Sequence, residues 1–299
     1  AVDSIGLSRL SRKWIILPLL VIAILIWVAV ATLPDDNLHV SFLDVGEGDA
    51  ILIQTPAHQD ILVDGGLSPQ AIGLQLGKKL PFWDRTIDLV ILTHPHADHI
   101  TGLLEVLQRY KVKQVLYPDL DYDSPLYDEW LNLIQEKDIK HIIARTGQQI
   151  DCSKGVAIQV LNPQNPSLTD TESDIDNNGV VLRLSMDDIS FLLTADIMWE
   201  AELELIARRA NLRSTVLKLA HHGSDTSTTQ EFLAVVNPQA AIISVGADNP
   251  HRHPNPEVME RLTQTINEDK IYLTSENRTI EFTTDGERLW VKMQNREVK

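Results

Sequence analysis

The sequence predicts an α/β domain preceded by one transmembrane helix. Three observations carry that expectation. From Leu38 onward, apolar runs of strand length alternate with amphipathic stretches of helix length. Residues Trp14 to Leu33 hold no charged side chain. Several apolar runs end on His or Asp, at the carboxyl ends of strands where α/β sheets place their sites.

Residues 1–13 form a short segment carrying Arg9, Arg12 and Lys13. The run 14–33 follows. At about 1.5 Å per residue such a helix crosses the ~30 Å hydrocarbon core of a bilayer. Trp14 and Trp27 suit interfacial anchoring, and Pro18 falls near the start, where it disturbs a helix least. The run is long for a signal peptide and shows no small-x-small cleavage site. Basic residues precede it, and Asp35 and Asp36 follow. The positive-inside rule therefore puts the N-terminus in the cytoplasm and tethers the rest outside the cell membrane. The chain starts with Ala, and the helix is expected to be the last of several in a longer membrane polypeptide.

One domain is expected over 38–299, with no repeat or linker to divide it. Strands at 40–44 and 50–54 flank a turn with Gly46 and Gly48, and a third at 60–64 ends on Gly65-Gly66. A helix over 70–80 precedes the apolar strand 87–92, which feeds Thr93-His94-Pro95-His96-Ala97-Asp98-His99 and then a helical stretch over 100–107. Residues 114–117 read as a strand, and 124–136 as a helix with Ser124 as N-cap and Pro125 first. Residues 145–160 are rich in strands and turns, and 162–178 form a polar loop. Strands 180–184 and 189–194 flank a hairpin turn at Met186-Asp187-Asp188. A helix over 198–209, a strand over 215–220, a strand over 240–245, a helix over 256–265 and short strands over 271–293 complete the domain.

Composition narrows the chemistry. The single Cys152 excludes an internal disulfide framework and a Cys-based zinc site, so any metal must be held by His, Asp, Glu or Asn. The net charge is -16, with +2 in residues 1–33 and -18 in the rest. That balance argues against tight, non-specific DNA binding, which rests on Lys and Arg. It leaves phosphodiester hydrolysis open, because bound cations offset repulsion locally.

His94, His96, Asp98 and His99 put three imidazoles and a carboxylate on one strand-end turn. These are the ligands zinc, manganese and iron accept. Alternation lets His94 and His96 face one ion while Asp98 and His99 face a second. The chemistry expected is metal-assisted hydrolysis. Asp196 ends an apolar strand, as a bridging carboxylate or the N-cap of the next helix. His221 and His222 end another; one ligates, and the other orients or binds substrate. His251 and His253 flank Arg252 in a loop, as a late ligand or a substrate contact. Asp44, Asp49 and Asp64 sit at strand ends or turns near the start of the domain.

The order His94-x-His96-x-Asp98-His99, Asp196, His221-His222 is similar to the metallo-β-lactamase superfamily. Phe42-Leu43-Asp44-Val45-Gly46-Glu47-Gly48-Asp49-Ala50, Leu62-Val63-Asp64-Gly65-Gly66, Leu192-Leu193-Thr194-Ala195-Asp196, Leu217-Lys218-Leu219-Ala220-His221-His222-Gly223-Ser224 and His253-Pro254 more closely resemble the C-terminal hydrolase domain of ComEC-type DNA internalisation (competence) proteins. The resemblance implies an αββα sandwich with a site at one edge, a preceding polytopic channel domain in the same polypeptide, and DNA as substrate during uptake. It implies one or two divalent ions, zinc or manganese. His94 and His96 would hold the first and Asp98 and His99 the second. Asp196 would bridge, and His221 or His222 would finish the second site, with His221 assigned to the metal. Asp98 doubles as general base; Lys218 and His253 are candidates to contact substrate or leaving group. Asp44, Asp49, Asp64, Asn178 and His222 are expected around these.

There are two departures. The superfamily's further His between the turn and Asp196 is missing: only His141 lies in that interval, and the expected segment reads Asp174-Ile175-Asp176-Asn177-Asn178-Gly179. Asn177, Asn178 or water is expected in its place. Ala195 stands where the competence branch usually has Gly. The rival expectations are a hydrolase of another ester, such as a cell-wall phosphodiester or lactone, and a non-catalytic module of a DNA-transport complex.

Overall fold

A computed structural model of the protein describes residues 9–31, 35–81 and 83–294. They fall into two units, Ala1–Asp35 and Asp36–Lys299. The first holds α1 (Arg9–Ala31), with Pro18 inside it. The expected span is helical up to Ala31; Thr32 and Leu33, and the side chains of Arg9, Arg12, Lys13 and Trp27, lie outside the described residues. Among the described residues no helix is long and apolar enough to cross a membrane. The large apolar side chains between Trp14 and Ile26 are exposed.

The second unit opens with an antiparallel meander, β1 (Leu38–Phe42), β2 (Ile51–Gln54) and β3 (Asp60–Val63). Then α2 (Pro69–Lys79) begins where the Ser68 hydroxyl accepts from the Ala71 N–H and proline takes the first helical position. Next come β4 (Thr86–Ile87), β5 (Leu89–Ile91), α3 (Ala97–Arg109), β6 (Lys111–Val112), β7 (Gln114–Tyr117), α4 (Pro125–Glu136) and β8 (Lys140–Ile143). The second half runs β9 (Gln149–Asp151), β10 (Val156–Asn162), α5 (Asp174–Asn177), β11 (Val181–Met186), β12 (Ile189–Leu193), α6 (Trp199–Ala207), β13 (Val216–Lys218), α7 (Gln230–Val236) and β14 (Ala240–Ile243). It ends with α8 (Pro256–Thr265), β15 (Ile271–Leu273), α9 (Thr274–Asn277), β16 (Ile280–Thr284) and β17 (Leu289–Met293).

Fifteen of the strands build two mixed sheets, ordered β17-β16-β1-β2-β3-β5-β7-β8 and β15-β14-β13-β12-β11-β10-β9, and β4 pairs with β6 beside them. Alternation along each strand divides the core into three layers. Ile51 and Ile53, Ile61 and Val63, Phe191 and Leu193, and Ile242 pack together between the sheets. Their neighbours Leu52, Leu62 and Val90 turn the other way, onto Ile72, Leu103 and Trp130 of α2, α3 and α4. Leu192, Leu217 and Ile243 turn onto Leu205, Leu233 and Leu262 of α6, α7 and α8. This is the expected αββα sandwich.

Several elements escape the sequence pattern. In the loop 162–178, α5 is one turn, too short for periodicity, and depends on the Ser173 cap and on burial of Asp176 and Asn177. β8 exposes half its residues, and α7 has only seven. The C-terminal strand β16 crosses back to pair antiparallel with β1, Val40 opposite Phe282.

Candidate metal centre

β3 and β5 run parallel, as do β12 and β13, so the carboxyl ends of each pair share an edge. The loops leaving them carry Asp64, the His-rich turn, Asp196 and the paired histidines. Three groups of side chains that could hold an ion form there, the third being Asp49, Asp64 and His99 behind the other two. In the first, Asp176 Oδ1 lies 3.3 Å from His94 Nε2 and 3.0 Å from His96 Nδ1. In the second, Asp196 Oδ2 lies 3.2 Å from His99 Nε2 and 3.1 Å from His222 Nε2, and Asp98 Oδ2 lies 3.6 and 3.3 Å from the same nitrogens. The His94 and His99 rings are 4.1 Å apart, so the groups adjoin.

The outward nitrogens of His94, His99 and His222 are anchored, which fixes those rings as metal-binding imidazoles require. His99 Nδ1 is 2.8 Å from Asp64 Oδ2, and His222 Nδ1 is 2.8 Å from the Ser244 carbonyl. The Thr93 hydroxyl donates to Asp64 at 2.6 Å and stands 3.1 Å from His94 Nδ1. Lys218 is fully buried, ion-paired with Asp49, donating to the Ala195 carbonyl at 3.0 Å and 3.5 Å from Asp196 Oδ1.

The donors fit a divalent metal. His94 Nε2, Asp176 Oδ1, Asp196 Oδ1 and His222 Nε2 are buried and, although they approach one another or a neighbouring group, none is in a well-formed hydrogen bond. Native cores rarely leave such atoms unsatisfied unless something binds them. Three carboxylates and four imidazoles are a donor set that zinc and manganese accept. Electrostatics agree. Burial, with His99 nearby, pushes His94 down to about 3, a neutral imidazole free to ligate. Burial would lower His222 as well, but Asp196, Asp98 and Asp49 raise it to about 10. Burial opposes Asp196 ionisation, yet His222, His99 and Lys218 hold its carboxyl well below the ordinary range. Without a cation, protons on imidazoles balance the carboxylates.

The sequence-based expectations meet this geometry unevenly. His94, His96, Asp98, His99 and Asp196 come together. His222, not His221, joins the second group; the His221 ring turns to Thr226 Oγ1 at 3.1 Å. The reason is the backbone: His221, His222 and Gly223 all have positive φ, so successive side chains diverge sharply. Asn177 and Asn178 do not occupy the third-ligand position. Asn177 Oδ1 accepts the Met198 and Ala201 N–H groups, and Asn178 bonds Leu168 and Asp174 backbone. Asp176, one residue earlier, faces His94 and His96; the Ser173 cap three residues before it was the available signal. Lys218, sealed in the core, cannot reach substrate and instead balances Asp49 and Asp196. Asp44 pairs with Arg278 at 3.1 Å, outside these groups. Asp49 and Asp64 stand behind the ligands. His253 and His251 line a cleft of about 240 Å³ with Glu47, Asp98, His222 and Asn249.

The metallo-beta-lactamase superfamily model matches residues 43–247. The chain belongs to that superfamily. As a member it has a metal-dependent hydrolase fold, and the His and Asp groups above could hold divalent metal. Among similar proteins are ComE operon protein 3 of Bacillus subtilis, 29% identical over 82% of this chain and 33% of that protein. Competence protein ComA of Neisseria gonorrhoeae is 28% identical over 77% of this chain and 30% of its own length. The chain therefore spans about a third of these relatives. The fold is shared with the metallo-beta-lactamase fold protein YhfI from Bacillus subtilis, at TM-score 0.54 and 12% identity over 86% of this chain and 100% of that one. Ala195, where the resemblance implies Gly, has φ of 49°. That left-handed conformation is why glycine suits the position.

Proposed function

We propose that this metallo-beta-lactamase is the membrane-tethered, extracytoplasmic hydrolase of a DNA-uptake protein, and that it cleaves phosphodiesters. The observation that carries the chemistry is the pair of adjoining ligand groups opening on one cleft through Asp98 and His222. The names of the competence relatives support DNA as substrate. The charge-free run and exposed apolar side chains of α1 support a membrane tether, with the basic residues before it on the cytoplasmic side. The rest of a longer polypeptide would supply the channel.

Two divalent ions bound here would lower the pKa of a water and polarise a phosphoryl oxygen. His94, His96 and Asp176 would hold one, and Asp98, His99, Asp196 and His222 would hold the other. Asp64 and the Ser244 carbonyl keep His99 and His222 turned inward. Asp98, with a third of its side chain exposed, lines the cleft, where its carboxylate would take a proton from water. His253 faces the leaving group, its loop pinned by Asn249, which accepts the His253 N–H at 2.8 Å. Asp176 in place of an imidazole suits a harder ion, so manganese supports more turnover than zinc.

The test is turnover of bis(p-nitrophenyl) phosphate and of single-stranded DNA across metals. Asp196→Ala abolishes both. Parental turnover in that variant, or cleavage of a lactone or carboxylic ester but of no phosphodiester, overturns the reading. The second outcome favours the other-ester hydrolase, which the chain's acidity and Glu47 in the cleft support. The reading as a non-catalytic module draws on the missing third histidine, and Asp176 facing His94 and His96 speaks against it.

A further inference from the structure

A second cleft, of about 200 Å³, lies away from the metal centre and is lined by Lys78, Lys79, Thr279, Glu281, Lys292 and Gln294. Three lysines on one small surface stand out in a chain of net charge -16. Among the described residues Glu281 is the only acid lining it, and it is already engaged, 3.0 Å from both Lys79 Nζ and His39 Nδ1. Lys292 sits opposite Glu281 on the β16–β17 ladder, so its side chain shares that face. Among the described residues neither Lys78 nor Lys292 forms an ion pair. Two uncompensated ammonium groups beside the Gln294 amide make a site for oxyanions, and Lys serves as a point charge for phosphate.

The position of this cleft ties it to the metal centre. Leu67, just before α2, lines the cleft of the metal centre, and Lys78 and Lys79 close the other end of the same helix. Eleven residues of helix span about 16 Å. We infer that the Lys78–Lys79–Lys292 cleft binds the phosphate backbone of a single-stranded nucleic acid whose neighbouring segment enters the metal centre. The inference rests on the phosphodiester reading and adds a second contact: the polynucleotide is held at two points. It also reconciles an acidic chain with a polyanionic substrate, since the attraction is local.

The experiment uses the full chain in detergent with EDTA, so that binding is read without cleavage. A fluorescein-labelled oligothymidylate is titrated by anisotropy at several salt concentrations. Lys78→Gln/Lys292→Gln weakens binding and flattens the slope of log K against log salt by about 1.4, at about 0.7 per lost phosphate contact on a single strand. Lys111→Gln/Lys140→Gln, with the same charge loss elsewhere, leaves the slope at its parental value. Circular dichroism checks that both variants fold. Absence of oligonucleotide binding by the parent, or equal slopes in all three proteins, overturns the inference. So does lysine-dependent binding to phosphatidylglycerol vesicles but not to the oligonucleotide, which would make the cleft a lipid-headgroup site. Because no turnover is measured, failure here is separate from failure of the hydrolase reading.

Discussion

At the scale of single residues, the site depends on conformations and charges that are unfavourable alone. His221 and His222 have φ of 49° and 54°, and Asp64 and Ala195 have 57° and 49°. Non-glycine residues enter that region at a cost of about 1–2 kcal/mol each. They collect here because this geometry aims His222 and Asp196 at the same point. The difference between the paired histidines is measurable. His222→Ala and Asp176→Ala each lower the metal bound per chain in elemental analysis, while His221→Ala retains the parental content. Lys218 is the other residue-scale dependence. Its removal leaves Asp49 and Asp196 buried without their cation. Lys218→Ala is expected to destabilise the protein by about 3–5 kcal/mol in chemical denaturation, the range for breaking a buried ion pair.

At the scale of elements, close backbone approach holds α3 against the end of β3. The Gly65 N–H donates to the His99 carbonyl at 2.9 Å, and the Gly102 N–H donates to the Gly66 carbonyl at 2.9 Å. A Cβ on Gly102 would stand 1.9 Å from the Gly65 oxygen, a clash that only backbone movement relieves. α3 carries Asp98 and His99, while Asp64 follows β3, so the same movement pulls His99 from its anchor. Gly102→Ala is expected to cost about 1–3 kcal/mol of stability, as overpacking does, and to lower metal content with it. Gly73 in α2 has open space where a Cβ would go. Gly73→Ala therefore raises stability by about 0.4–1 kcal/mol and leaves metal binding as it was. Differential scanning calorimetry of the two variants separates a positional glycine from a replaceable one.

Across the whole molecule, β16 returns from the end of the chain to β1, and Glu281 on it clamps that return to α2 through Lys79. The hydrogen bond with His39, then Lys79, hold the Glu281 carboxyl at about 2 against the opposing effect of burial. A folded value below the ordinary 4.5 means that this contribution is present above pH 4.5 and disappears as pH falls through about 2. Glu281→Gln is expected to be less stable than the parent at neutral pH and to lose less stability between pH 4.5 and 2, read from urea melts across that range. Much of this architecture is legible in the chain itself. Strand and helix alternation, the ligand turn 94–99 and Asp196 at a strand end are local patterns, because side-chain period and backbone geometry are set by near neighbours. What the local pattern left undecided was partnership across long separations. Asp176 facing His94 and His96, His222 rather than His221 beside Asp98, Lys218 sealed against Asp49, and β16 beside β1 all join residues from different elements. Each depends on which loops two packed sheets bring to one edge. Composition and periodicity carry no information about that edge; the packing of the core decides it.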